Sequence, residues 1–148
     1  MSPTDRTCWE TPPEIFERFH SVFGFTLDVC ALPHNAKHQR FFTPDEDGLQ
    51  QTWAPHVCWM NPPYGRGIAA WLAKARAEAE KGATVVALLP DDQSTRWFHD
   101  HVHRIADVWP LDGRVKFVGA NGSPNFGSII AIYWPAGFWR GTNRKETL

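Results

Sequence analysis

Apolar positions Ile15, Phe16, Phe19, Val22 and Phe23 recur at helical spacing. They follow Glu10-Thr11-Pro12-Pro13-Glu14, where Thr11 reads as an N-cap, proline fills the first turn and Glu14 completes a capping box. Gly24 is a natural stop. Phe25 to Ala31 is an apolar run with one carboxylate, Asp28, near its carboxyl end, and predicts a buried strand. From Leu32 to Pro55 periodicity is lost among Pro, Asn, Asp, Gly and His; the segment reads as an ordered loop that Phe41, Phe42, Leu49 and Trp53 pin to the body. Val57 to Met60 is a second core strand. Ile68 to Lys81 predicts a helix with Ile68, Trp71, Leu72, Ala75 and Ala79 on one face, ended by Gly82. Thr84 to Pro90 is a continuous β-branched and Leu run, as in a strand buried on both sides. Asp91-Asp92-Gln93-Ser94-Thr95 caps a helix reaching about Arg104, and Ala106 to Trp109 is a short strand. Arg114 to Val118 and Ser128 to Trp134 read as a final strand pair separated by the polar loop 119–127.

This alternation predicts an α/β fold with a mostly parallel sheet and an antiparallel pair at one edge. A full-sized sheet would place elements in 32–55, so a trimmed sheet is expected. The 148 residues suit one domain, with an ordered core over about 9–139 and a polar, fraying tail over 140–148. Hydrophobic content of 43% against 21% charged is that of an ordinary globular protein. No apolar run approaches the roughly 20 residues that span a bilayer, and the N-terminus shows no secretory pattern. Cys8, Cys30 and Cys58, odd in number and widely spaced, argue for reduced thiols and a cytoplasmic location. A net charge of −1 and a pI near 6.6 give no support to non-specific nucleic-acid binding.

The chemistry concentrates at Asn61-Pro62-Pro63-Tyr64, a proline-stiffened elbow between the second strand and the following helix. Pro62 biases Asn61 towards extended geometry. Ligands of open α/β sheets bind at the carboxyl ends of strands, so the elbow is the leading catalytic candidate. An exocyclic amine on a nucleobase is a poor nucleophile because its lone pair is delocalised into the ring. Two acceptors against its N–H groups, here the Asn61 side-chain oxygen and the Pro62 carbonyl, would draw it towards tetrahedral geometry and stabilise the positive charge developing on methylation. Tyr64 offers a face for a flipped base. The proton can leave after transfer, so a neutral Asn suffices. The bland alternative is a proline turn ending a strand.

TPPE, LDVCA, FFTPDEDGL, NPPYG, VVALLP and GRVKF, in this order over roughly residues 9–134, resemble the phage-type, Dam-like DNA N6-adenine methyltransferases. The resemblance implies a Rossmann-like methyltransferase fold, S-adenosylmethionine as methyl donor, adenine in DNA as substrate, and Asn61, Pro62, Pro63 and Tyr64 as the catalytic motif. By position it places Thr11 and Pro12 at the methionine part of the cofactor and Asp28, Cys30, Ala31 and Asn35 along the cofactor-binding strand. Asp47 either binds the cofactor ribose or adenine edge or makes the turn before Gly48. It also implies a phage- or prophage-encoded protein acting in a bacterial host. Ala31-Leu32-Pro33-His34-Asn35 replaces the Gly-rich loop of larger amino-methyltransferases, and no insertion is long enough for a target-recognition domain. Short or relaxed sequence recognition, or recognition aided by a second copy in a homodimer, is therefore expected. NPPY is shared with methyltransferases of RNA adenine and protein glutamine, which stay open as alternatives beside a non-catalytic DNA-binding or anti-restriction module.

Other candidates are weaker. His99, His101 and His103 read as a solvated helix face rather than a metal site, since only His99 and His103 share a face. Lys37, Arg40, Arg66, Arg114 and Lys116 are candidates for phosphate contact. Asp91 to Thr95 and loop 119–127 are either ordinary caps and turns or walls of the DNA path.

Overall fold

A computed structural model describes residues 9–119 and 126–138. The elements are α1 (Pro13–Phe23), β1 (Leu27–Asp28), a 3₁₀ turn (Gly48–Gln50), β2 (Val57–Met60), α2 (Ile68–Glu80), β3 (Thr84–Pro90), α3 (Arg96–His101), β4 (Asp107–Pro110) and β5 (Ser128–Tyr133). Residues 1–8, which precede the expected core, the tail from 140 and most of loop 119–127 lie outside the described residues.

The strands form a sheet in the order β1-β2-β3-β5-β4. β1, β2 and β3 are parallel, with Asp28 level with Trp59 and Met60 level with Ala87. β5 runs antiparallel to both β3 and β4, so β4 points the same way as β3. The antiparallel edge pair is therefore β4 with β5, and the expected strand over Arg114–Val118 is not part of the sheet. That segment is joined to the N-terminal stretch by a bridge between Val118 and Glu10. The burial pattern explains the exchange. Every residue of Ser128–Tyr133 is buried, which requires a central strand. Over 114–118 burial alternates, with Val115 and Phe117 inward and Arg114, Lys116 and Val118 outward.

The expected loop over 32–55 also contributes to the sheet. Asp28 N–H donates to the Arg40 carbonyl and Phe42 N–H to the Asp28 carbonyl, each at 3.0 Å, so residues 40–42 lie alongside β1 in parallel. Trp53 is fully buried, and its indole N–H donates to the Gly48 carbonyl at 2.8 Å. The buried Glu78 carboxylate of α2 clamps this region from beside it, accepting the Trp53 N–H at 2.6 Å and the Ala54 N–H at 3.1 Å. Burial would raise the Glu78 pKa; those amides and the Lys74 and Lys81 ammonium groups outweigh it and hold the carboxyl at about 2.

Two helix boundaries differ from expectation. α1 starts at Pro13 with Pro12 as N-cap and no side-chain cap, so the Thr11–Glu14 capping box does not form. α3 ends at His101 rather than near Arg104, which itself takes a positive φ of 62°. Its N-cap is Thr95, whose hydroxyl oxygen accepts the Phe98 N–H. α1 packs through Phe16 on Phe25 and Trp59. α2 buries Ile68, Leu72, Ala75 and Ala79 as its spacing demands, and Glu78 with them. Among the described residues no helix is long and apolar enough to cross a membrane.

Candidate active site

β2 delivers Asn61 to the carboxyl end of the parallel strands, one residue beyond the Met60–Ala87 pair. The carboxamide is held from its donor side. Nδ2 donates to the Trp9 carbonyl oxygen in a short hydrogen bond and to the Thr11 hydroxyl oxygen at 2.9 Å. Oδ1 is buried and has no hydrogen-bond partner among the described residues. The Ser128 hydroxyl, at the start of β5 and level with Pro90, is the other such buried side-chain atom. Buried polar atoms normally find partners, so an unpartnered acceptor at a strand end is a place for an incoming N–H donor.

Pro62 is buried and Pro63 half-buried. Tyr64 is only 7% exposed, and its hydroxyl donates to the Leu88 carbonyl at 3.1 Å. Its ring stands edge-on to Phe117, at 6.5 Å between centroids, and to Phe126 at 6.0 Å. Trp9 closes the same cluster, 5.4 Å from Phe117 and 5.6 Å from Phe126. Sequence reasoning did not single out Trp9, Phe117 or Phe126. GRVKF contains Phe117, but nothing in local periodicity tells that its ring meets the elbow.

The residues expected along the cofactor strand lie beside the elbow. Asp28 is 2% exposed. Its carboxylate organises the following loop, Oδ1 accepting the Cys30 N–H at 3.2 Å and Oδ2 the Lys37 N–H at 2.9 Å. Burial pushes its carboxyl up to about 6, against those two amide bonds and the Lys37 charge. No cationic side chain among the described residues lies within salt-bridge distance of it. A buried carboxylate without an ion-pair partner suits a cationic ligand. Ala31 is buried and donates its N–H to the Phe42 carbonyl at 3.0 Å. Cys30 is half-buried. Asn35 closes its own turn, Oδ1 accepting the Leu32 N–H at 2.8 Å.

Of the two readings of Asp47, the turn is present: φ is 55° and its Oδ1 accepts the Leu49 N–H at 3.1 Å. Thr11 is 2% exposed and bonded to Asn61, and Pro12 is buried. Asn61, Thr11 and the aromatic cluster thus come together at one end of the sheet, with Asp28 on the adjacent strand. Arg40 does not join them. It lines an open depression of about 750 Å³ with Thr26, His38, Pro55 and His56. Thr26 and His56 immediately precede β1 and β2, so this hollow lies at the opposite end of the sheet from the elbow. Among the described residues no group of three or more His, Cys, Asp and Glu could hold a metal ion.

A sequence profile of the DNA N-6-adenine-methyltransferase (Dam) family matches residues 2–134. The chain is 35% identical over 118 residues to the DNA N-6-adenine-methyltransferase of Haemophilus phage HP1, covering 78% of this chain and 68% of that protein. It is 31% identical over 150 residues to the DNA N-6-adenine-methyltransferase of Escherichia phage T1, covering 86% of this chain and 62% of that protein. The aligned region therefore spans about two thirds of the length of these relatives.

Proposed function

This chain belongs to the DNA N-6-adenine-methyltransferase (Dam) family, and we propose that it transfers a methyl group to the N6 amine of adenine in DNA, with Asn61 at the reacting amine. One observation carries the assignment: the Asn61 carboxamide is anchored through Nδ2 while its buried Oδ1 has no partner among the described residues. A primary amine has two N–H groups to give. Oδ1 accepts one and the Pro62 carbonyl the other, holding the nitrogen so that its lone pair points away from the base ring. The same two dipoles stabilise positive charge as the new N–C bond forms, and being fixed beforehand they need no reorganisation. The proton then leaves to solvent.

Tyr64 and its aromatic neighbours supply the apolar wall for an adenine taken out of the stack. S-adenosylmethionine, when bound, would supply an electrophilic methyl on a sulfonium, whose S–CH3 bond breaks as the N–C bond forms and leaves the electron pair on a neutral thioether. The residues beside the elbow fit that cation: Asp28 is a buried carboxylate without an ion-pair partner among the described residues, next to the strand that carries Asn61. Asp28, Cys30, Ala31 and Asn35 would line the donor side, with Thr11 and Pro12 at its methionine portion and Asp47 setting the turn that closes the loop. The parallel β1–β2–β3 core, with α2 crossing from β2 to β3, supports a Rossmann-like reading of a single methyltransferase domain. No metal enters the scheme.

Arg66, Arg114 and Lys116 are exposed on segments leaving the carboxyl end of the sheet and are our candidates for phosphate contacts. Two relatives are phage proteins, and we read this chain as phage- or prophage-encoded, acting in the host cytoplasm. We further propose recognition of a short or relaxed site, by one copy or by a homodimer.

Incubation with cofactor carrying a labelled methyl group, offered DNA and RNA in competition, tests the proposal. Nucleoside analysis should recover the label as N6-methyldeoxyadenosine. Asn61→Ala should abolish transfer while cofactor binding persists. Label in RNA or protein, or retained transfer by that variant, would refute it. Methylation mapping on random-sequence DNA tests recognition, and a long, strict site would contradict the relaxed reading.

A further inference from the structure

We infer that Thr11 is a positioning residue for Asn61: its hydroxyl oxygen fixes which end of the carboxamide faces the substrate. The inference rests on the role proposed for Asn61. A carboxamide has an acceptor end and a donor end of nearly the same shape, and rotation by 180° exchanges them. Only the acceptor end can receive an N–H from an amine. The Trp9 carbonyl is an acceptor alone, so the group facing it must be Nδ2. One N–H of Nδ2 goes to that carbonyl and the second, at 2.9 Å, to the Thr11 hydroxyl. With both donors used, Oδ1 is left buried and unpartnered among the described residues. Reversal would set Oδ1 against the Trp9 carbonyl, acceptor against acceptor, in a buried place where such an encounter is costly.

The two anchors are themselves held. The Glu10 carbonyl accepts the Val118 N–H at 3.0 Å, and the Trp9 ring packs on Phe117 and Phe126, so the segment carrying the Trp9 carbonyl is tied to 117–118 and to Phe126. Thr11 is 2% exposed and runs directly into the Pro12–Pro13 start of α1. Forgoing the helix cap is what frees its hydroxyl for Asn61. This stretch therefore serves the acceptor geometry of the elbow, a role separate from contact with the methionine end of a cofactor.

The test compares Thr11→Val, which keeps shape and removes the hydroxyl, with Thr11→Ser, which keeps the hydroxyl. We expect Thr11→Val to lower kcat by about 10- to 100-fold, as misplacement of a reacting group does. KM for DNA should change less than about twofold, since a lost transition-state contact leaves ground-state binding intact, and any rise in the S-adenosylhomocysteine dissociation constant should stay well below the fall in kcat. Thr11→Ser should recover most of the rate. A rise in the S-adenosylhomocysteine dissociation constant with unchanged kcat would overturn the inference in favour of cofactor contact. Equal loss in both variants would also overturn it. The Asn61 side-chain amide resonances, measured without substrate, give a second readout. Both N–H protons should be protected from exchange in the wild type and one exposed in Thr11→Val; no difference would sink the inference. If the wild type transferred no methyl to DNA, the functional proposal would fail, and the amide measurement would still decide whether Thr11 orients Asn61.

Discussion

The Tyr64 hydroxyl donates to the Leu88 carbonyl at 3.1 Å, linking the elbow to the carboxyl half of β3. Burial raises the Tyr64 pKa, so the hydroxyl keeps the proton it donates. Tyr64→Phe should cost about 1 kcal/mol, the net worth of one hydrogen bond, and leave methyl transfer largely intact because the ring remains. Tyr64→Ala should cost about 3–5 kcal/mol, as for a large aromatic truncated in a core, and loosen Phe117 and Phe126. Urea unfolding of the two variants measures both.

In the cofactor-binding role proposed for it, Asp28 should make cofactor affinity depend on pH. Its folded pKa is raised to about 6, so the proton-bearing form is favoured by folding. That contribution to stability is complete below the unfolded value near 4 and is lost as pH rises through 6. Binding of a cation has the opposite sense, since it needs the carboxylate. Cofactor affinity should therefore strengthen from pH 5 to pH 7 with a midpoint near 6, and be weak and flat in Asp28→Asn. Calorimetric titration across that range checks it, and a wild-type profile without an inflection would remove Asp28 from the cofactor site.

Glu78 predicts the acid limb of stability. Its folded pKa of about 2 lies below an unfolded value near 4.3. The clamp on Trp53 and Ala54 is thus fully effective above that unfolded value and is lost as pH falls towards 2. Glu78→Ala should cost roughly 3–5 kcal/mol by leaving buried partners unmet, with Glu78→Gln intermediate. Acid unfolding followed by tryptophan fluorescence, sensitive to Trp53, should show the transition moved to higher pH in both variants.

Gly48 admits no side chain. A Cβ there would overlap the Val29 carbonyl oxygen, which is backbone, and approach the Trp71 ring at 3.1 Å. Gly48→Ala should destabilise by at least about 1–3 kcal/mol, the usual cost of overpacking. It would also push the Asp47 turn off the end of β1, so cofactor binding should weaken beyond what stability alone accounts for. Thermal unfolding and a cofactor titration on the same sample separate the two effects.

Much of this was legible in the residue pattern. Thr84–Pro90 is a strand over the whole expected range, and Ile68, Leu72, Ala75 and Ala79 are the buried face of α2. The elbow emerges at a strand end because two prolines leave it no other local choice. Family membership was readable from the ordered motifs, and the comparisons agree with it. Thr11 was misread as a helix cap: a Ser or Thr before proline and Glu is a good local cap, and the competing partner lies 50 residues away. Arg114–Val118 was misread as a sheet strand because a run of about five residues with the right alternation can pair at many edges. Segment 40–42 was missed because a strand that short has no periodicity to read.

The sequence by itself determined which stretches turn, which run buried, and which residue types meet at Asn61-Pro62-Pro63-Tyr64, since these depend on neighbours a few positions apart. Only the tertiary structure decided that β5 sits between β3 and β4, that Trp9, Phe117 and Phe126 wall the elbow, and that Asn61 spends its donors on Trp9 and Thr11 and leaves its oxygen without a partner among the described residues. Those outcomes depend on contacts between distant segments, where burial of apolar rings and pairing of buried polar atoms outweigh local preference.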